Sequence, residues 1–232
     1  MPRTILEVDR EPQLAFPVAE ETTSHGKPDF QVAYRVETPR LVLRCWSPED
    51  APALRAALDK SDRHLRPFIP FMKDEPRSLQ GTEDWLCGHR AAFDRGENFR
   101  FGVFTKDGQL VGENMLLRRV GPDALEIGYL THLGFEGRGY ATEASAALVK
   151  VAFEFYDAQR VEIHHAAANR ASGRIPERLG FTLRETLRDH IEDTEGRLHD
   201  GVIWCLHAPE YPATPPARAE ITAFDALGQP ME

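Results

Sequence analysis

The sequence predicts an α+β, or mixed α/β, fold in which a sheet of about six or seven strands is flanked by about four helices. Three observations support this fold class: an alternating strand pattern near the start, a three-stranded meander in the middle, and a long helix that follows a glycine-rich turn. The 232 residues, 41% of them hydrophobic and 28% charged, suffice for one domain of ordinary size.

The first part of the predicted domain combines one strand with two helices. Apolar and polar residues alternate over 40–46, "RLVLRCW", which predicts a strand. A serine N-cap and a proline at the first helical position predict a helix over about 48–59. A proline-broken loop, 66–76, then leads to a second helix over about 78–94, in which apolar residues recur at helical spacing.

The rest of the predicted domain is mostly sheet. Two tight turns of Asp-Gly and Gly-Pro-Asp type join three strands, which we place at 99–105, 109–120 and 124–133. Beyond this meander we predict two helices, at 139–156 and 170–179, and three strands, at 160–168, 181–189 and 201–208.

Composition divides the chain into three parts. Residues 1–36 show no sustained period and are interpreted as an N-terminal extension, and 37–208 form the regular domain. From Pro209 to the end, 209–232, the composition turns to proline, alanine and glutamate, which is typical of an interaction tail or a disordered end.

Charge and cysteine usage exclude several classes of function. A formal net charge of -9 disfavours a nucleic-acid partner, and no segment approaches the ~18 apolar residues of a membrane span. The amino terminus lacks a secretory signal, and three scattered cysteines favour a reduced, cytoplasmic compartment. No metal site is predicted, because Cys205 and His207 are too close in sequence and lack further ligands.

The stretch "GFEGRGYATEA", 134–144, places three glycines directly before a helix. A dinucleotide fingerprint would need a third small residue where Thr142 stands, and a nucleotide-binding P-loop would need a Gly-Lys-Ser/Thr that is absent. Two interpretations remain open from this stretch alone. The glycines either turn the chain, or their amides form a pyrophosphate cradle at the helix start.

Three landmarks, taken together in this order, resemble the GNAT superfamily of acyl-CoA-dependent N-acyltransferases. They are "ETPRLVLRCWSPEDAPAL", "EIGYLTHLGFEGRGYATEA" and "NRASGRIPERLGF", and the resemblance covers roughly 37–207. It is strongest to the branch of ribosomal-protein N-terminal alanine and serine acetyltransferases. The resemblance implies a central, mostly antiparallel sheet that splays in the middle, with acetyl-CoA as the co-substrate.

The resemblance also implies a set of residues that contact acetyl-CoA. The family motif Gln/Arg-x-x-Gly-x-Gly/Ala holds the pyrophosphate and aligns here with 136–141, so that Glu136 departs from the pattern. A carboxylate facing phosphates costs on the order of 1 kcal/mol, and weaker cofactor affinity is expected. The implied cofactor-binding residues are Leu130, Thr131, Glu136, Gly137, Arg138, Gly139, Tyr140, Ala141, Thr142, Asn169 and Ser172.

Acetyl transfer needs a proton for the departing thiolate, and the resemblance implies where it comes from. Many relatives use a tyrosine seven residues after the asparagine of the last landmark, but this position holds Pro176. Ser172, three residues after Asn169, matches the serine of the ribosomal-protein branch, although it could equally be a cap residue. Asn169 is expected to bind the pantetheine arm, with a simple N-cap as its alternative.

A general base is less well indicated. Glu126 and Glu113 lie inside apolar strands, where partial burial would raise the pKa of a carboxyl group towards the working range. Alternatively, each faces solvent or pairs with Arg118 or Arg119, or water deprotonates the amine. His132, His164 and His165 are also close in sequence to the expected cleft, but a lone histidine is more often structural.

The sequence therefore predicts an acetyl-CoA-dependent N-acetyltransferase that acts by direct attack of a primary amine in a ternary complex. By resemblance the acceptor is a protein or peptide α-amine. A small-molecule amine is the alternative acceptor, and a low-turnover acyl-CoA sensor is the alternative function. Oligomeric state is left open, with a homodimer among the alternatives.

Overall fold

A computed structural model describes residues 30–232. Most of the predicted N-terminal extension, 1–29, lies outside the described residues. Of the remainder, 35 and 36 belong to the first strand of the sheet, so the regular structure begins five residues before the strand that the sequence predicts.

The described chain forms one nine-stranded sheet with the order β7-β8-β6-β5-β4-β3-β2-β1-β9. Every neighbouring pair is antiparallel except β5 and β6, which run parallel. The mixed fold class is confirmed, but with more strands than the six or seven predicted. The strands are β1 Arg35–Glu37, β2 Leu41–Cys45, β3 Asn98–Thr105, β4 Leu110–Leu117, β5 Ala124–Thr131, β6 Arg160–Ala166, β7 Thr182–Glu192, β8 Leu198–His207 and β9 Thr222–Phe224.

Four α-helices accompany this sheet in the described part of the chain, as predicted: α1 Ala51–Leu65, α2 Leu79–Asp94, α3 Tyr140–Glu154 and α4 Arg170–Leu179. The first is preceded by a 3-10 turn at Pro48–Asp50 and runs six residues beyond the predicted end at 59. The buried apolar face of α1 continues from Leu58 to Leu65. The polar residues between these two leucines obscure the helical pattern in the sequence. Among 30–232, no helix has the length and apolar character that crossing a membrane requires.

The helices pack on opposite faces of the sheet. The side chains of α1 and α2 form one apolar cluster with Trp46 of the β2–α1 connection and with Leu130 of β5. On the other face α3 packs in the main core, where Ser145 bonds to Asn114 of β4 at 2.9 Å. Because successive strand residues point to opposite faces, the two sides of each central strand face different helix pairs.

The sheet opens between β5 and β6. These strands share only three paired positions, the last of which joins Glu126 to Glu162. Beyond this point β5 continues along β4 as far as Thr131, while β6 continues along β8 as far as Ala166. The two strands therefore diverge, as the resemblance implies, and leave a cleft in the middle of the sheet.

The C-terminal segment is part of the folded structure. β9 pairs with β1 and forms the edge of the sheet. Earlier in the segment, Tyr211 is buried and its hydroxyl donates to Glu154 of α3 at 2.6 Å, and near the end Met231 is buried as well. The alternative of a disordered end is wrong for this segment. Composition alone could not show it, because a few anchoring residues hold a stretch otherwise rich in proline and alanine.

Candidate active site

The glycine-rich stretch forms a turn whose backbone requires glycine. Gly137 and Gly139 have φ of 72° and 78°, in the left-handed region that side chains disfavour. Gly139 is the N-cap of α3, and the first bond of the helix runs from the amide of Glu143 to the carbonyl oxygen of Gly139. The amides just before Glu143 therefore precede the helical ladder and carry the positive end of the helix dipole, an arrangement that favours an anionic ligand.

An arginine from the start of β2 holds this turn in place. Arg40 donates to the carbonyl oxygen of Arg138 at 3.0 Å and to the carboxylate of Glu143 at 2.5 Å. Thr38 also donates to Glu143, at 2.6 Å. The first landmark contains Arg40, but its spacing from the turn, about 100 residues, gave no reason to expect this contact. The guanidinium adds a cation beside the helix start.

Glu136 lies next to the glycines and is exposed. Its carboxylate accepts from the amide of Gly134 at 2.5 Å and lies 3.6 Å from the imidazole of His64. Burial raises its pKa, but backbone hydrogen bonds and His64 outweigh this and hold the pKa below its ordinary value. Glu136 is thus charged at neutral pH and folded back on its own turn.

A narrow crevice connects the turn with the ends of β4 and β5. Gly112, Leu130, Thr131, Tyr140 and Ala141 contribute to its walls. The two β5 residues are among the implied cofactor-binding residues, and they lie in the part of β5 that has diverged from β6. The start of α3 therefore packs beside the end of β5 that borders the cleft. A wider open groove lies elsewhere, between β1 and the C-terminal segment, and contains none of the predicted site residues.

Ser172 is in contact with a tyrosine from the opposite wall of the cleft. Its Oγ donates to the phenol oxygen of Tyr129 at 2.9 Å, and the phenol donates to the Ser172 carbonyl oxygen at 2.9 Å. Burial raises the pKa of Tyr129 above its ordinary value, although Ser172 opposes the rise, so the phenol stays protonated at neutral pH. Sequence reasoning missed Tyr129, which lies three residues after the candidate base Glu126 in the same "EIGY" run.

Asn169 takes the capping role that the sequence left open for Ser172. It is the N-cap of α4, and its Oδ1 accepts from the Ser172 amide at 3.1 Å. Ser172 is therefore free of the cap function, and its hydroxyl faces Tyr129 instead. Pro176, at the position of the family's tyrosine, is buried in the interior of α4.

The pKa of Glu113 is lowered overall, against the expected rise. Burial does act in that direction, but Arg100 and Trp46 outweigh it and hold the pKa below its ordinary value. Arg100 binds both carboxylate oxygens, at 2.8 and 2.6 Å, and the Trp46 indole donates at 2.8 Å. Glu113 is consequently a buried partner of an ion pair and a poor proton acceptor.

Glu126 follows the alternative that the sequence offered for it. Both of its oxygens accept from Arg119, at 2.7 and 2.6 Å, and the carboxylate is buried at the last paired position before the cleft. Its Oε2 also lies 3.9 Å from Nδ1 of His164.

Two of the three candidate histidines are structural. His132 is buried against Ser61 at 3.4 Å, and burial lowers its pKa to about 4. His165 accepts from the Trp204 indole at 3.1 Å, on the face opposite to His164. Among the described residues, no group of three or more His, Cys, Asp or Glu side chains is arranged to hold a metal ion.

Comparison with known proteins identifies the class. A family model described as "Acetyltransferase (GNAT) domain" matches residues 40–182, more than half of the chain. Together with the splayed sheet and the glycine turn, this match defines an acetyl-CoA-dependent N-acyltransferase. The chain belongs to the GNAT acetyltransferase family.

Several of the proteins that the chain resembles are named as ribosomal-protein acetyltransferases. The chain is 30% identical over 173 residues to YdaF, a candidate ribosomal N-acetyltransferase of Bacillus subtilis (strain 168), covering 74% of this chain and 93% of the relative. It is 25% identical over 182 residues to the ribosomal protein uS5-alanine N-acetyltransferase of Escherichia coli (strain K12), covering 76% and 92%. Mycobacterium smegmatis RimJ, solved in complex with CoA-disulfide, has a TM-score of 0.69 at 24% identity, covering 82% and 93%.

Proposed function

We propose that this enzyme transfers an acetyl group from acetyl-CoA to the α-amine of a protein or peptide. The observation that carries the proposal is the position of the glycine turn at the start of α3, beside the end of β5 that has diverged from β6. This arrangement suits a ligand that is anionic at one end and reactive at the other. The named activities of the YdaF and uS5 relatives support the choice of acceptor.

The turn would hold the pyrophosphate through backbone amides. The amides of Gly137 to Thr142 are the ones predicted to contribute, and Arg40 lies beside them with its guanidinium 4.8 Å from the Tyr140 ring centre. Glu136 opposes this arrangement by its charge. We therefore expect binding that is weaker than a glutamine or arginine at this position would give, but still specific.

Ser172 and Tyr129 would supply the proton that the leaving sulfur needs. The Oγ proton of Ser172 can rotate from the phenol oxygen towards the cleft, while the phenol remains held by the Ser172 carbonyl oxygen. Tyr129 thus fixes the serine rotamer without itself losing a proton. This pair would replace the tyrosine that Pro176 displaces.

The acceptor would reach the cleft from the face that carries α1 and α2. At the rim of this face the β7–β8 hairpin touches the end of α1, where the hydroxyl of Thr194 donates to the carbonyl oxygen of Arg66 at 3.0 Å. The acceptor side of the cleft is therefore bordered by two segments, the end of α1 and the β7–β8 hairpin. An extended peptide terminus can bind along these two segments, and a small amine remains the alternative acceptor.

Release of free CoA tests the proposal. The purified enzyme is given acetyl-CoA with peptides that begin with alanine or serine, the same peptides with a blocked terminus, and a panel of small amines, while a thiol reagent reports CoA. We expect release with the free peptides alone. Release only with small amines would favour the alternative acceptor. Binding of acetyl-CoA without release in any mixture would favour a sensor.

A further inference from the structure

A carboxylate–imidazole–carboxylate row lies where β5 and β6 separate. Glu126 and Glu162 are the last paired residues, each with a side chain only 4% exposed, and His164 follows two residues later on β6. Two-residue spacing puts His164 on the same face as Glu162. Tyr129, three residues after Glu126, points to the opposite face, so the row and the Ser172–Tyr129 pair border the cleft from its two sides.

Glu162 determines which nitrogen of His164 carries the proton. Nε2 of His164 lies 2.6 Å from Oε2 of Glu162. Burial raises the pKa of Glu162, but His164 and Arg160 outweigh it and lower the pKa to about 2. The carboxylate is therefore an acceptor at neutral pH, so Nε2 must donate, and in the neutral form of the ring Nδ1 carries no proton.

The bare nitrogen faces a second carboxylate. Nδ1 of His164 lies 3.9 Å from Oε2 of Glu126, too far for a direct hydrogen bond. One nitrogen atom of a ligand can lie within hydrogen-bonding distance of both atoms across that separation. Glu126 is paired through both of its oxygens with Arg119, and its Oε2 lies within reach of an amine placed beside Nδ1 of His164.

We propose that His164 is the general base of the transfer reaction, accepting at Nδ1 the proton of the acceptor ammonium. Glu162 positions the ring, and Glu126 holds the amine beside it. The proposal rests on the proposed function, since it assigns the amine side of the same cleft. It gives the reaction a base where Glu113 and Glu126 are held by arginines.

The proton and bond changes balance with these groups. The ammonium gives one proton to Nδ1 of His164, and its nitrogen lone pair then attacks the acyl carbon. The N–C bond forms, the C–S bond breaks, and the sulfur carries away the electron pair. The sulfur takes a proton from the hydroxyl of Ser172. The second proton of the amine returns to that hydroxyl through water, and His164 releases its own to solvent.

Charged or titratable groups from four elements and one connection lie around the imidazole and the two carboxylates beside it. They are Glu126 from β5, Glu162 and Arg160 from β6, Arg184 from β7, Cys205 from β8 and Arg119 from the β4–β5 connection. The arginines offset the carboxylates. The row can therefore hold a proton transiently without a large excess of either charge.

The test compares wild type with His164→Gln, whose amide can still donate to Glu162 but has no basic nitrogen. With a serine-initiated peptide we expect kcat about 100-fold lower at pH 7 and KM for acetyl-CoA within about 2-fold of wild type. The deficit should shrink to about 10-fold or less near pH 9, because an α-amine with a pKa of about 8 then arrives deprotonated. Glu162→Gln should lower kcat about 10-fold with the same pH trend.

His207→Gln is the matched control, because His207 is exposed at the far end of β8 and should leave kcat unchanged. A deficit that is constant from pH 6 to 9, or an unaltered kcat, would overturn the inference while leaving the proposed function standing. If His164→Gln does not fold, Glu162→Gln decides in the same way. Long-range ¹H–¹⁵N correlation on histidine-labelled enzyme gives a readout without turnover, and a proton on Nδ1 of His164 would refute the assignment. Absence of transfer by wild type to every amine would overturn both proposals.

Discussion

Replacing Gly139 by aspartate places a carboxylate at the start of α3, where the pyrophosphate is expected to lie. The left-handed backbone, with φ of 78°, costs a side chain about 1 to 2 kcal/mol, so the domain should remain folded. An added Cβ would lie 3.5 Å from the nearest Arg40 nitrogen, an ordinary contact. The main effect is therefore electrostatic.

The expected loss of affinity follows from the charge alone. Two unit charges about 4 Å apart at an effective dielectric constant of about 20 repel by about 4 kcal/mol. This corresponds to about a 1,000-fold loss, and solvent screening at the partly exposed turn reduces the expectation to between about 100- and 1,000-fold. Titration calorimetry with acetyl-CoA measures it directly.

Two further variants separate charge from backbone strain. Gly139→Ala carries the same strain without the carboxylate and should lose less than about 10-fold in affinity. Gly108→Asp adds the same charge at a φ of 85° in the β3–β4 turn, with no atom within 4 Å of its Cβ, and should bind like wild type. Unchanged affinity of Gly139→Asp would refute the assignment of the turn as the pyrophosphate site.

Three other sites allow equally direct tests. Glu136→Gln removes the opposing charge and should tighten acetyl-CoA about 5-fold in calorimetry; equal or weaker binding would contradict the role given to this carboxylate. Ser172→Ala should lower kcat at least about 10-fold with little change in KM for acetyl-CoA, and Tyr129→Phe should lower it less; wild-type rates in both would remove the pair from the mechanism. Glu113→Gln leaves Arg100 without its buried partner and should cost about 3 kcal/mol in urea unfolding at pH 7. Because the folded-state pKa of Glu113 is lowered, its contribution is present above the unfolded pKa of about 4.3 and is lost as pH falls through the folded value. The difference from wild type should accordingly shrink in acid, and a pH-independent difference would count against the ion pair.

Local signals made most of the fold predictable. The helix α2 and the meander of β3, β4 and β5 follow from periodicity and turn residues within a few positions of each other. The strands β1 and β9 could not be predicted in this way, because each has only three residues and the two pair with each other from opposite ends of the described chain. Short edge strands carry too little pattern to stand out from a loop.

The same distinction between local signals and long-range contacts applies to the candidate site. The glycine turn and Ser172 belong to contiguous motifs, so sequence could point to them. Tyr129 and Arg40 bond to neighbours 43 and 98 residues away, and His164 lies beside Glu126 of a different strand, so no contiguous motif shows these contacts. The sequence also could not foresee that Arg100 would reverse the direction of the pKa shift of Glu113.

The pairing of β9 with β1 matters for anyone who shortens this protein. A fragment that ends at 182, where the family model ends, would lack β7, β8 and β9 and would leave β1 and β6 with unpaired backbone groups. Exposed strand edges recruit other chains, so such a fragment should aggregate even though it contains every landmark of the family. A purification tag is also better kept away from the last residues, because Met231 is buried near the very end of the chain.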